Sequence, residues 1–224
     1  MKILPLDVAT EVGWAMLDTQ TPPSGWPIGH FRCIGKEPWE KSQSLRSGIR
    51  DVIKIHGKPD VAIIEMPLQI APQYKRKPKE DMIGGNIQDR QHLASVMADR
   101  LVTAIKRGGL EGDETQDLVK EIWGSESTMN SKTIAQLNWL GGAAQAVCEG
   151  MGIPFQFVGP RTWQTIIPKE IRGGTKERVR QYCDQLRILG GDNNARDAAI
   201  IGVWAWKKSQ LVKQIENSMQ GALV

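Results

Sequence analysis

Residues 1–18, MKILPLDVATEVGWAMLD, hold an apolar run that ends in Asp7, a turn of small residues and a second apolar run. The pattern predicts a strand over KILPLD and another over GWAMLD, with the chain reversing between them. IGHFRCIG extends it as a third strand, across a TQTPPSGWP loop whose prolines and glycine break regular structure. The chain thus opens as a strand meander with a carboxylate at the end of its first strand.

Outward from this meander, WEKSQSLRSGIRDVIKIHG carries Leu45, Ile49, Val52 and Ile53 on one helical face, with Gly57 and Pro59 as stop signals. DVAIIEMP follows, with Val61 to Ile64 apolar without interruption, as in a strand buried on both faces, and it ends in Glu65. NSKTIAQLNWLGGAAQAVCEGMG sets Ile134, Leu137, Leu140, Ala144 and Val147 on one helical stripe, and PFQFVG is a fifth strand. PRTWQTII is a short helix or turn, TKERVRQYCDQLRI a helix basic on one side, and DNNARDAAIIGVWAWKK a helix apolar nearly all round and hence buried. Between Glu65 and the central helix, residues 68–128 exceed any simple strand-to-helix connection and read as an insertion. Its apolar spacing at Leu93, Val96, Met97, Leu101 and Ile105 predicts a helix, and DETQDLVKEIW a second, shorter one. The expected fold is α/β: a mixed five-stranded sheet flanked by helices, with a helical insertion after the fourth strand. One domain spans residues 1–208, and a polar tail runs from 209 to 224.

The 224 residues, 40% hydrophobic and 24% charged, suit a globular chain and not a disordered one. A net charge of +4 permits a polyanionic partner without requiring one. Cys33, Cys148 and Cys183 are odd in number and outside metal-ligand spacing of one another, which favours a reducing compartment over a disulfide framework. Asp7 interrupts the first apolar run too early for a signal peptide, and no run approaches the ~18 apolar residues of a membrane span. The expectation is a soluble, cytoplasmic protein with no membrane partner.

Three acids occupy comparable places: Asp7 and Glu65 at strand ends, and Asp197 in the expected first turn of the buried helix. Sites in open sheets gather where strands end, so neighbouring first and fourth strands bring Asp7 and Glu65 together. Singly, each has an ordinary explanation: a turn former, a solvated strand end, a helix-dipole partner. Jointly, those explanations need three coincidences. Asp197 resists most, because Ala198, Ala199, Ile200 and Ile201 follow it, and a buried carboxylate is costly unless paired or bound to metal. Asn194 lies three residues earlier on the same face, whereas Asp192 reads as a cap for exposed backbone N–H groups. Oxygen donors without His or Cys favour Mg²⁺ or Mn²⁺ over Zn²⁺. Two such ions can activate a water and stabilise the leaving oxygen of a phosphodiester.

The element order, with LDVATEVGWA, AIIEMP, LNWLGGAAQAVCEGMGIPFQFVGPRTWQ and NNARDAAIIG in sequence, resembles the RuvC-type Holliday-junction resolvases of the ribonuclease H-like superfamily, the phage-like branch most. The resemblance covers roughly residues 2–66 and 129–208. It implies a Mg²⁺- or Mn²⁺-dependent endonuclease, with two ions per site, that cuts branched DNA as a homodimer in a bacterial cytoplasm or phage-infected cell. Asp7, Glu65 and Asp197 match the family's metal-binding acids, and Lys176 a basic residue near the scissile DNA. The fourth ligand position falls at Asn194, a neutral oxygen donor, with Asp192 as the alternative. A second family lysine falls at Trp163.

A basic run, Lys75, Arg76, Lys77 and Lys79, leaves the expected sheet near Glu65. Its ordinary role is a solvated loop; as a DNA contact it would hold phosphate and carry no sequence reading. Arg161 and Trp163 are further candidate DNA contacts, Trp163 by stacking on an unpaired base, with packing the default for a tryptophan. Trp204 and Trp206 are expected in the core, and Trp14 behind the first turn. His30, His56 and His92 have no nucleophile or ligand partner in sequence. Competing classes are a ribonuclease H-like nuclease for flaps or hybrids, an actin-like ATPase and a non-catalytic DNA-binding module. The ATPase reading lacks a glycine-rich phosphate loop beside Asp7 and the length for two halves.

Overall fold

In the computed structural model, which describes residues 1–66 and 131–221, the meander is β1 (Lys2–Asp7), β2 (Glu11–Ala15), β3 (Leu17–Asp18) and β4 (Ile28–Arg32). Helix α1 (Pro38–His56) and strand β5 (Val61–Glu65) follow, then α2 (Ser131–Gly150) and β6 (Phe155–Val158). The chain ends with the short α3 (Pro160–Trp163), α4 (Thr175–Gln185), α5 (Asn193–Lys208) and α6 (Gln210–Gly221). These residues all belong to one unit of the chain, Met1–Gln69 with Ser131–Val224. The expected insertion at 68–128, with its two helices and basic run, lies outside the described residues.

The sheet has six strands, not the five expected, in the order β4-β2-β1-β5-β6 with β3 also on β1. The extra strand comes from splitting GWAMLD. β2 and β3 keep one antiparallel register against β1, Leu6 opposite Trp14 and Ile3 opposite Leu17. The break between them faces Leu4 and Pro5, and proline brings no N–H to a ladder. β5 and β6 add in parallel, Leu6 beside Ile64 and Glu65 beside Val158.

Period-two alternation sends the sheet's residues to two cores. Leu4, Leu6, Val12, Ala62 and Ile64 meet α1 and α2 through Leu45, Ile49, Leu140, Ala144 and Val147. Ile3, Ala15, Leu17, Val61 and Ile63 meet the opposite layer, which includes Ala199, Ile200 and Ile201 of α5. Each fully buried Leu or Ile stabilises the fold by about 1.5–3 kcal/mol relative to exposure. Helix α1 starts with a reciprocal Glu37–Glu40 capping box and Pro38 in its first turn, and stops at Gly57, whose φ of 91° suits glycine. Trp204 is buried and Trp206 packs on the same core, edge-on to Trp26. Trp14 packs on the other core beside His56. The tail expected to be polar is helical as α6, because Val212 is fully buried against the α5 side. Among the described residues no helix is long and apolar enough to cross a membrane.

Candidate active site

β1 and β5 run parallel side by side, so Asp7 and Glu65, one residue past the Leu6–Ile64 pair, end at the same sheet edge. Alternation puts both on the α5 face, since Leu6 and Ile64 point the other way. Asp7 is also paired with Gly13 across β2. Gly13 is where α5 crosses the sheet most closely: a Cβ built there would stand 1.9 Å from the Asn194 carbonyl oxygen and 2.9 Å from the Ala195 nitrogen. The missing side chain lets the first turn of α5 lie on β2, and so brings Asp197 over Asp7. Further along, Gly202 receives Leu17 and Pro5 in the same manner.

Helix α5 begins at Asn193, with the Asp192 side chain accepting the Ala195 N–H at 2.9 Å. Asp197 therefore stands in the second turn, not the first as expected. Its backbone N–H is past the free donors of the helix start, and the dipole no longer accounts for its charge. Its Oδ1 is buried with no hydrogen-bond partner. Buried polar atoms are nearly always paired, so a buried carboxylate oxygen without a partner, within the electrostatic reach of Asp7 and Glu65, is an oxygen donor that a cation could use.

The electrostatics agree. Burial pushes Asp7 up to about 9, reinforced by a hydrogen bond to the Glu65 carboxyl and by the charges of Glu65 and Asp197; Lys176 opposes it. Burial likewise raises Asp197 to about 6, with Glu65 and Asp192 adding to it and Lys176 again lowering it. Lys176 is exposed in the first turn of α4. No group of three or more His, Cys, Asp or Glu among the described residues forms a ready-made metal cage. The donor set nevertheless suits a hard divalent cation: oxygen ligands from β1, β5 and α5, an orphaned oxygen, and carboxyls that hold protons where no cation balances their charge.

These shifts predict a pH dependence. A carboxyl whose folded pKa lies above its unfolded value holds its proton more tightly when folded. Its effect on stability is absent below the unfolded value of 3.8 and turns progressively unfavourable up to about 9 for Asp7. The metal-free protein is expected to lose melting temperature from pH 5 to pH 9, at about 2–4 °C per kcal/mol for a chain of this size. Asp7→Asn should flatten that decline, and Mg²⁺ should reverse it in the wild type, most at high pH. Parallel Tm–pH curves for wild type and Asp7→Asn would refute the shift.

The remaining candidates distribute unevenly. Asp192 caps α5 and sits 3.4 Å from His30 Nδ1, a contact that sequence did not signal. Asn194 is half-buried, one turn before Asp197, with its backbone against Gly13. Arg161 is exposed on α3. Trp163 is corrected: at 2% exposure it offers no face to a base, and its Nε1–H donates to Glu65 Oε1 at 2.9 Å. Lys75, Arg76, Lys77 and Lys79 lie outside the described residues. Sequence reading missed Gly13, whose only signal was a glycine inside a strand pattern.

Solved structures that resemble this fold include RuvC. Thermus thermophilus RuvC in complex with a Holliday junction substrate aligns with a TM-score of 0.51 at 9% identity, over 93% of this chain and 97% of that one. A second Thermus thermophilus RuvC structure aligns at 0.48 and 10% identity, over 92% and 96%. No family model and no curated protein matches the chain. What the likeness to the junction complex establishes is architecture: the chain has the RuvC-like, ribonuclease H-like fold.

Proposed function

We propose that this chain is a Mg²⁺- or Mn²⁺-dependent, structure-selective DNA endonuclease of the RuvC type, phage-like branch, which resolves four-way junctions by two-metal-ion phosphodiester hydrolysis. The observation that carries the reading is the convergence of Asp7, Glu65 and Asp197, with the Asp197 Oδ1 buried and unpartnered. Asp7, Glu65 and Asp197 would hold the cations, with Asn194 or Asp192 completing the set. When bound, such ions activate water and stabilise the leaving oxygen. The chain's own part is to orient the carboxylates from rigid elements and to set the exposed Lys176 cation at the rim, where a phosphate would meet it. Arg161 and the run Lys75, Arg76, Lys77 and Lys79 would hold flanking phosphates. The single nuclease domain at 1–208, interrupted at 68–128, and a cytoplasmic location belong to the same proposal. The test is incubation of four-way junction, flap, hybrid and linear duplex DNA with Mg²⁺ or Mn²⁺. Selective junction cleavage is expected; cleavage of flaps or hybrids alone favours the broader nuclease reading, and no cleavage favours a DNA-binding module.

Resolving a junction takes two cuts of matching polarity, and the described residues of one chain offer one such acidic cluster, so a two-fold homodimer is expected. The proposed contact is α2, where Trp139 is 56% exposed and a Cβ on Gly142 would meet nothing within 4 Å. Leu140, next to Trp139, is fully buried in its own core and supplies no contact area. Light scattering at micromolar concentration should give a dimer, with paired cuts in the junction. A monomer with and without junction DNA, nicking one strand, would defeat the resolvase reading in favour of a nicking nuclease.

A further inference from the structure

We infer that Trp163 is a positioning residue for the site: its indole N–H holds one oxygen of Glu65 and so presents the rest of that carboxylate to a divalent cation. The inference rests on the metal-binding reading proposed above. Its footing is geometric. β6 lies beside β5 with Val158 next to Glu65, and Gly159 and Pro160 turn the chain into α3. That single helical turn carries Trp163 back over the end of β5, where it packs with the α5-side core at 2% exposure. The indole's polar atom makes one hydrogen bond, 2.9 Å to Glu65 Oε1. The same carboxyl bonds to Asp7, so two side chains hold Glu65.

The donor's chemistry decides what it can do. An indole N–H is neutral and donates only. It fixes the direction of a carboxylate without supplying countercharge, as an ammonium group there would. Among the described residues, the cation whose field reaches these acids is Lys176, which is exposed. The cluster thus keeps a fixed shape and, among the described residues, has no buried countercharge of its own, so a hard cation that displaces its protons meets oxygens already aimed. Partners that orient a ligand from behind typically change metal affinity by about 10–100-fold when removed.

Trp163→Phe keeps an apolar ring in the core and deletes the N–H. Mn²⁺ titrated calorimetrically into the DNA-free protein should bind about tenfold or more weakly in the variant. In cleavage assays the Mn²⁺ concentration for half-maximal rate should rise more than the plateau rate falls. Glu65→Gln should weaken Mn²⁺ binding too, and adding Trp163→Phe to it should cost little more, since both act through one carboxylate. A Trp163→Phe protein that melts lower but binds Mn²⁺ as the wild type does would reduce Trp163 to a packing residue and overturn the inference alone. If the wild type binds no Mn²⁺, the metal reading falls and this inference with it. Should Trp163→Phe fail to fold, the wild-type Trp163 indole N–H resonance carries the test. It should shift on Mg²⁺ titration and saturate with binding, and a resonance that stays in place overturns the inference.

Discussion

Asp7→Asn and Asp197→Asn are each expected to lower junction cleavage by about 10³-fold or more while leaving DNA affinity within a few-fold of wild type. The asparagine amide keeps the shape of the carboxyl but lacks its charge, and cation binding at this site depends on that charge. Metal ions contribute several kcal/mol of transition-state stabilisation, and each 1.36 kcal/mol is tenfold in rate, which sets the size of the loss. DNA affinity is spared for the opposite reason: a carboxylate repels phosphate, so neutralising it removes no favourable phosphate contact. Both variants should fold, because Asp7 and Asp197 are burdened by burial in the metal-free state. Cleavage with Mg²⁺, and fluorescence anisotropy on the junction without it, separate the two effects. A variant that cuts at the wild-type rate removes its residue from the site.

The three acids were legible because strand ends and an apolar helix are local signals. The uninterrupted apolar runs of KILPLD and VAIIE suffice to put Asp7 and Glu65 at comparable ends of buried strands. What such runs cannot supply is pairing, and the β1–β5 neighbourhood had to be assumed until the parallel ladder from Ile3–Val61 to Leu6–Ile64 placed them side by side. The strand count was missed for a related reason: the break in GWAMLD lies opposite Leu4 and Pro5, residues of another strand. Asp197 was set one turn too early although Asp192 read as a cap, because only the capping bond from Ala195 N–H to Asp192 fixes the helix start at Asn193. Trp163 shows the limit most plainly. It sits in a segment with both polar and apolar neighbours, and only the packing of α3 decides that it is buried.

Gly13→Ala is expected to damage both stability and cleavage from a position that touches no cation or DNA. The added Cβ would stand 1.9 Å from the Asn194 carbonyl oxygen, 2.2 Å from its carbon and 2.9 Å from the Ala195 nitrogen. All three are backbone atoms in the first turn of α5, so no side-chain rotation relieves the clash. The helix start must rise off β2, against the pull of Ala198, Ala199, Ile200 and Ile201, which are fully buried. Overpacking of this kind costs about 1–3 kcal/mol or more, and a domain of this size loses about 2–4 °C of Tm per kcal/mol. Asp197 rides on the same turn-and-a-half of helix, so its distance from Asp7 changes with the shift. A misplacement of about 1 Å can cost 10²-fold in rate, and cleavage should fall by that order even in the folded fraction. Gly25→Ala is the matched control. Gly25 is exposed in the connection between β3 and β4 with nothing within 4 Å of its Cβ position, so alanine there should stay within about 0.5 kcal/mol of wild type. Because both changes add one methyl group, the contrast isolates the helix-to-sheet approach. A Gly13→Ala protein with wild-type Tm and rate would show that this approach does not set the position of Asp197.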